Sequence, residues 1–165
     1  MPNVIEPVDK ATAERFAIVV AEWNQSVTGK LLEGAVRTFD QQGIADDAVD
    51  VAWVPGSWEL PVVAQRLARS GKYSAVICLG AVVRGETSHD LHINRGVTLA
   101  LGEIALKFDL PVLLGVLTCE TMEQALDRAG GRMGNKGSEC AEAALQMVLL
   151  LAQMPAEEKV LGRRP

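Results

Sequence analysis

Cysteine is scarce, with three residues in 165, an odd count without CxxC spacing. No disulfide framework can be read from that pattern, and the three read as reduced thiols of a cytoplasmic protein. Positive charge is also short, because 16 lysines and arginines face 21 acids for a formal net charge of -5. That balance argues against a general role on nucleic acid or on an anionic membrane. Long apolar runs are missing as well. The stretch Met147 to Ala152 is among the longest and falls far below what a bilayer requires. Pro2 to Arg15 is mixed and acidic, so no secretory leader is expected. No internal repeat or low-complexity tract is visible. What remains is one domain of ordinary size, with 48% hydrophobic residues to fill a core.

The most informative stretch runs from Ala75 to His89. It opens as an unbroken apolar run, which suits a strand buried on both faces of a parallel sheet. It then becomes a loop with two glycines, two hydroxyls, an arginine and a histidine, where such sheets bind ligands. Strands are also expected at Phe16 to Ala21, Val49 to Val54 and Pro111 to Leu117. The first helix has Ser26 or Thr28 as its cap, Leu31, Leu32, Ala35 and Phe39 on one face, and Gly43 at its end. The second carries Pro61 in its first turn and Val63, Ala64 and Leu67 inward. A third follows His89 and runs to about Phe108, with Asn94-Arg95-Gly96 weakening its early turns. Thr121-x-x-Gln124 has the form of a capping box. Asn135 caps a last helix with a stripe of Cys140, Ala143, Ala144, Met147 and Leu151, stopped by Pro155. The alternation predicts an α/β fold, a three-layer α/β/α sandwich around four parallel strands. The domain spans 16–154, between an arm at 1–15 and a solvated tail at 155–165.

Four strand ends converge on one edge: Trp23-Asn24, Gly56 to Glu59, Arg84 to His89, and Leu117 to Glu120. Two of three tryptophans lie there, suited to stacking on a flat heteroaromatic ligand, although ordinary packing explains them nearly as well. Glu59 is either an acceptor for ligand hydroxyls or simply a helix-start acid. Gly85 to Ser88 leads into a helix N-terminus, where free N–H groups favour an anion; a plain turn is the alternative. Arg128 and Arg132 offer positive charge for a phosphate. His89 suits general acid/base work. Glu86, His89 and His92 have a spacing compatible with metal ligation, but no fourth ligand stands out and no metal is expected.

The chain resembles the lumazine synthases, which catalyse the penultimate step of riboflavin biosynthesis, from about Phe16 to Leu151. The resemblance is carried by Trp23-Asn24 with Leu31-Leu32-Glu33-Gly34-Ala35, by Val54-Pro55-Gly56-Ser57-Trp58-Glu59-Leu60-Pro61, and by Gly80 to His89. Gly115-Val116-Leu117-Thr118 and Glu123 to Gly131 with Gly134-Asn135-Lys136-Gly137 complete it. It implies a flavodoxin-like fold and a cofactor-free condensation. In that reaction 5-amino-6-(D-ribitylamino)uracil and 3,4-dihydroxy-2-butanone 4-phosphate give 6,7-dimethyl-8-ribityllumazine and phosphate. By the same resemblance Trp23 stacks on the pyrimidine beside Asn24, and Ser57, Trp58 and Glu59 hold the ribityl chain and ring edge. Ala81, Val82 and Val83 present backbone groups to the uracil, and Lys136 lies near the ligand. Glu86 and Thr87 bind phosphate through main-chain N–H groups, with Arg128 as counter-charge, and His89 moves protons.

Pentamers, often twelve in a hollow icosahedral shell of 60 subunits, are also implied, with active sites between neighbours. The arm is then available to pair with the next subunit's sheet, and riboflavin synthase is a candidate partner. Two positions depart from the pattern. Asp90-Leu91-His92 follows His89 where an aromatic and an acid are usual. Leu114 stands where many members place a phenylalanine that closes a neighbouring subunit's pocket. These departures motivate a rival reading, a non-catalytic shell-forming or lumazine- and flavin-binding homologue; a third is a metal-dependent hydrolase using Glu86, His89 and His92.

Overall fold

The structure is a computed structural model and describes residues 2, 4–6 and 14–155. Most of the arm expected at 1–15, and the tail beyond Pro155, lie outside the described residues. Strands β1 (Phe16–Ala21), β2 (Val49–Val54), β3 (Ala75–Val83) and β4 (Val112–Cys119) form one parallel sheet in the order β2-β1-β3-β4. The central pair shows why apolar runs rather than alternation mark it. Side chains of Phe16, Ile18 and Val20 point to one face with Ile77 and Leu79, while Ala17 and Val19 point to the other with Val76 and Cys78. Both faces are covered, so both parities must be apolar.

Helices α1 (Gln25–Gln41), α4 (Met122–Asp127) and α5 (Lys136–Leu151) cover the first face, and α2 (Leu60–Arg69) and α3 (His89–Phe108) the second. The three-layer sandwich is therefore present. Three local expectations change. The cap of α1 is Asn24 rather than Ser26 or Thr28, and its side chain does not bond the helix: it donates to the Ala81 carbonyl at 2.8 Å. Asn24 is left-handed (φ 61°), a conformation asparagine tolerates better than most residues. Thr121 does accept from the Gln124 N–H, but the Gln124 amide oxygen accepts from Glu120 instead of Thr121. The buried face of α5 is Gly137, Cys140, Ala141, Ala144, Leu145 and Val148, one residue round from the expected stripe, leaving Met147 partly exposed.

A hairpin of β5 (Ala129–Gly131) and β6 (Gly134–Asn135) joins α4 to α5, turning through glycines at φ 102° and 80°. Asn135 then links two helices. Its Oδ1 accepts from the N–H groups of Gly137 (2.8 Å) and Ser138 (3.2 Å), and its Nδ2 donates to the Lys30 carbonyl on α1 at 2.9 Å.

At the other end of the sheet, Asp50 Oδ2 accepts from Tyr73 (2.6 Å), Arg15 (3.1 Å) and Lys72 (3.1 Å). The Tyr73 hydroxyl, then the two cations, hold its carboxyl well below the usual carboxylate range. A depressed folded-state pKa gives stability that is present above the unfolded value of about 3.9 and fades as the pH falls below it. Asp50→Asn is expected to lower the thermal midpoint at pH 7 by about a few degrees at most, because the carboxylate is partly exposed. The gap from the parent should narrow below about pH 4, as thermal melts across pH 2–7 would show. A gap that stayed constant would contradict this account.

Candidate active site

The strand order places a switch point between β1 and β3, since the chain steps from β1 outward to β2 and then crosses back to β3. Crevices open at the carboxyl ends of strands at such points. A cleft of about 410 Å³ lies there. Trp23, two residues beyond β1, forms one wall. The turn Ser57–Glu59 after β2 supplies Ser57, Trp58 and Glu59, and the end of β3 supplies Ala81, Val82 and Val83. Thr87 and His89, from the loop and first residue of α3, close the other side. The Asn24 bond to Ala81 pins the exit of β1 to the floor of the cleft. Asn24 itself does not line it.

Burial separates the roles open to these groups. Ser57 is buried, whereas Trp23 (73% exposed) and Trp58 (61% exposed) stand open at the mouth. Indoles left this exposed contribute little to the core, which favours the ligand reading over ordinary packing. At the N-terminus of α3 the N-cap Ser88 makes no side-chain bond; the Thr87 hydroxyl accepts from the His89 N–H at 3.4 Å, and the Ser88 carbonyl accepts from the Leu91 and His92 N–H groups. Glu86 faces a neighbouring depression, which shares Gly85, Thr87 and Asp90 with the cleft. There Arg84 donates to Glu120 at 2.9 Å, tying the exits of β3 and β4 together and keeping the guanidinium charged.

Arg128, Lys136 and Leu114 do not reach this cleft. Arg128 lines a separate depression with Thr118, Cys119 and Asp127. Lys136 bonds Glu139 at 2.9 Å. Leu114 lies on the outer strand β4, 42% exposed. Arg132, the other cation considered for a phosphate, is held by Asp127 at 2.7 Å. Among the described residues no ion pair engages Arg128. Nor do three or more His, Cys, Asp or Glu side chains converge as metal ligands there, so Glu86, His89 and His92 form no such trio. Burial raises the Cys78 and Cys119 thiols and pushes Cys140 up to about 11, leaving no ready thiolate at neutral pH. Ile93 and Asp90 line the cleft without having been singled out as site residues. Ile93 was findable, since it follows His89 by four residues and shares its helix face.

Residues 13–152 match the family model described as 6,7-dimethyl-8-ribityllumazine synthase. A curated 6,7-dimethyl-8-ribityllumazine synthase from Pediococcus pentosaceus is 51% identical over 134 residues, covering 81% of this chain and 86% of that protein.

Proposed function

We propose a division of labour among the residues of the cleft from one premise: the chain belongs to the 6,7-dimethyl-8-ribityllumazine synthase family. Its reaction condenses 5-amino-6-(D-ribitylamino)uracil with 3,4-dihydroxy-2-butanone 4-phosphate, releasing phosphate, water and 6,7-dimethyl-8-ribityllumazine. The observation that supports the assignment of roles is the layout of the cleft. Aromatic and hydroxyl-accepting groups line it from the ends of β1 and β2, and the N-terminus of α3, with Thr87 and His89, lines it as well.

On this reading Trp23 stacks on the pyrimidine, and Glu59 accepts from ribityl hydroxyls while Ser57 and Trp58 flank the chain. Backbone groups of Ala81 to Val83 pair with the uracil edge. The phosphate sits against the N–H groups of Glu86, Thr87 and the α3 terminus, where the helix dipole favours an anion. His89, at the junction of both regions, passes protons as the 5-amino group attacks the ketone, as water and phosphate leave, and as the ring closes. Both substrates held in one cleft convert an encounter in solution into a local one.

The phosphate end is short of free positive charge within one subunit, because Glu86 and Asp90 flank it, Arg84 is paired with Glu120, and Arg128 lies elsewhere. We place Arg128, Lys136 and Leu114 against the cleft of an adjacent copy. Leu99 at 68% and Leu106 at 87% lie exposed seven residues apart on one face of α3, and such an apolar strip supports association between copies. The outer edge of β2 leaves room for a neighbour's arm to add a strand. We take the assembly to be pentamers, joined into a 60-subunit shell. Three free thiols fit a cytoplasmic setting, and no described helix is long and apolar enough to cross a membrane. Riboflavin synthase, which consumes the product, remains the partner of choice.

Arg128→Ala is expected to raise the KM for the butanone phosphate about 10- to 100-fold, the range for one lost charge-assisted bond. If each cleft is shared, co-expressing Arg128→Ala with His89→Ala should yield particles more active than either variant alone. Assays following lumazine absorbance check both points. Activity no greater than the sum of the separate variants would return Arg128 to its own subunit or remove its role. No product from the unmodified protein would instead favour the non-catalytic, shell-forming reading.

A further inference from the structure

Gly96 lies well inside α3, a twenty-residue helix, where glycine costs about 0.5–1 kcal/mol relative to alanine. Its backbone is not left-handed, so conformation does not require glycine there. Space does. A Cβ on Gly96 would lie 2.6 Å from Cζ3 and 3.2 Å from Cη2 of Trp58, and 3.7 Å from Cε3. The six-membered half of the indole therefore rests directly on the bare helix backbone, while the side chain as a whole stays 61% exposed and lines the cleft. We infer that Gly96 is a positioning residue for the condensation: it seats the Trp58 indole and thereby sets the fit of the ribitylaminouracil. The inference rests on the reading in which Trp58 contacts that substrate.

The physical argument is one of displacement. Carbon atoms pack best at about 3.5–4.0 Å, so a methyl group at Gly96 pushes the indole by about 1 Å. The ring rests on α3 and also lines the cleft. A ring displaced from α3 therefore shifts in the cleft wall that borders the volume assigned to the ribityl chain and ring edge. Because the ring is exposed, it yields without breaking the core, and alanine strengthens the helix. The effect falls on binding rather than folding. The phosphate region lies at the start of α3, about 10 Å along the helix axis from Gly96, and is untouched.

The test is steady-state kinetics of Gly96→Ala, Trp58→Phe and the double variant, varying each substrate separately, beside thermal melts. Gly96→Ala should raise the KM for 5-amino-6-(D-ribitylamino)uracil about tenfold, since misplacement by about 1 Å can cost up to about a hundredfold. The KM for the butanone phosphate and kcat should change by less than about twofold, and the thermal midpoint should hold or rise. In the Trp58→Phe background, which lacks the outer ring atoms, adding Gly96→Ala should change the KM by less than about twofold. An unchanged KM in Gly96→Ala, or an equal rise in both backgrounds, would overturn the inference. So would a Gly96→Ala protein recovered unfolded, since an exposed ring is free to yield. Absence of product from the parent would overturn the functional reading itself, and this role with it; normal parent turnover beside an unaltered Gly96→Ala removes only the role of Gly96.

Discussion

Gly137→Ala is expected to cost about 3 kcal/mol or more of stability, at the upper end of overpacking effects, and to sharply reduce recovery of folded protein. A Cβ at Gly137 would come within 2.6 Å of the Leu31 carbonyl carbon and closer still to its oxygen. That obstacle is backbone and cannot rotate away. Helices α1 and α5 would have to separate, and the separation strikes a second contact. Gly34 on α1 faces the Asn135 side chain with no room for a Cβ, and Asn135 both caps α5 and bonds the Lys30 carbonyl. The cap, the interhelix bond and the packing of Leu31 beside Cys140 on one core face would loosen together.

Gly29→Ala makes the control. Gly29 is likewise a helical glycine, in α1, but nothing stands within 4 Å of its added Cβ, so the substitution should stabilise by about 0.5–1 kcal/mol. Denaturant melts of the two variants should therefore move in opposite directions. A Gly137→Ala protein as stable as its parent would mean the two helices approach less closely than described.

His89→Ala should lower kcat by about 10²–10⁴-fold, the usual contribution of one general acid/base group. The residue opens α3 at the junction of the two halves of the cleft. On the proposed roles, its loss removes a proton carrier but leaves Trp23, Ser57, Trp58 and Glu59 to hold one substrate and the loop amides to hold the other. Bringing two reactants together is itself worth many orders of magnitude, so substantial catalysis should survive. Single-turnover and steady-state rates, measured beside the uncatalysed background, check this. A fall of more than about five orders would show that His89 does more than carry protons, and that positioning contributes less than argued.

Strand and helix placement was largely legible in the residues, for local reasons. The apolar runs Phe16 to Ala21 and Ala75 to Val83 announce strands buried on both faces, and Pro61 marks the start of α2. Asn135 was readable as a cap because a side chain accepting from amides two and three residues on is a property of contiguous chain. The Trp23, Ser57-Trp58-Glu59 and Ala81 to His89 segments could be assigned to one cleft because parallel strands carry their following loops to the same edge. The misplacements share an opposite cause. Asn24 takes the N-cap position expected of Ser26 or Thr28, yet its side chain acts as a tether, because its amide meets Ala81, 57 residues away. The buried face of α5 rotated by one residue because α1 crosses it at Gly137. The short hairpin before α5 rests on two left-handed glycines with no apolar pattern to announce them.

By itself, then, the sequence determined a parallel α/β sandwich, its family, and which loops share the cleft, because periodicity, caps and motifs act over a few neighbouring residues. Only the tertiary structure decided that Arg128, Lys136 and Leu114 stand apart from that cleft, and that Gly96 is bare to receive Trp58. Those facts depend on how helices settle against a sheet in three dimensions, and packing of that kind leaves no period along the chain to read.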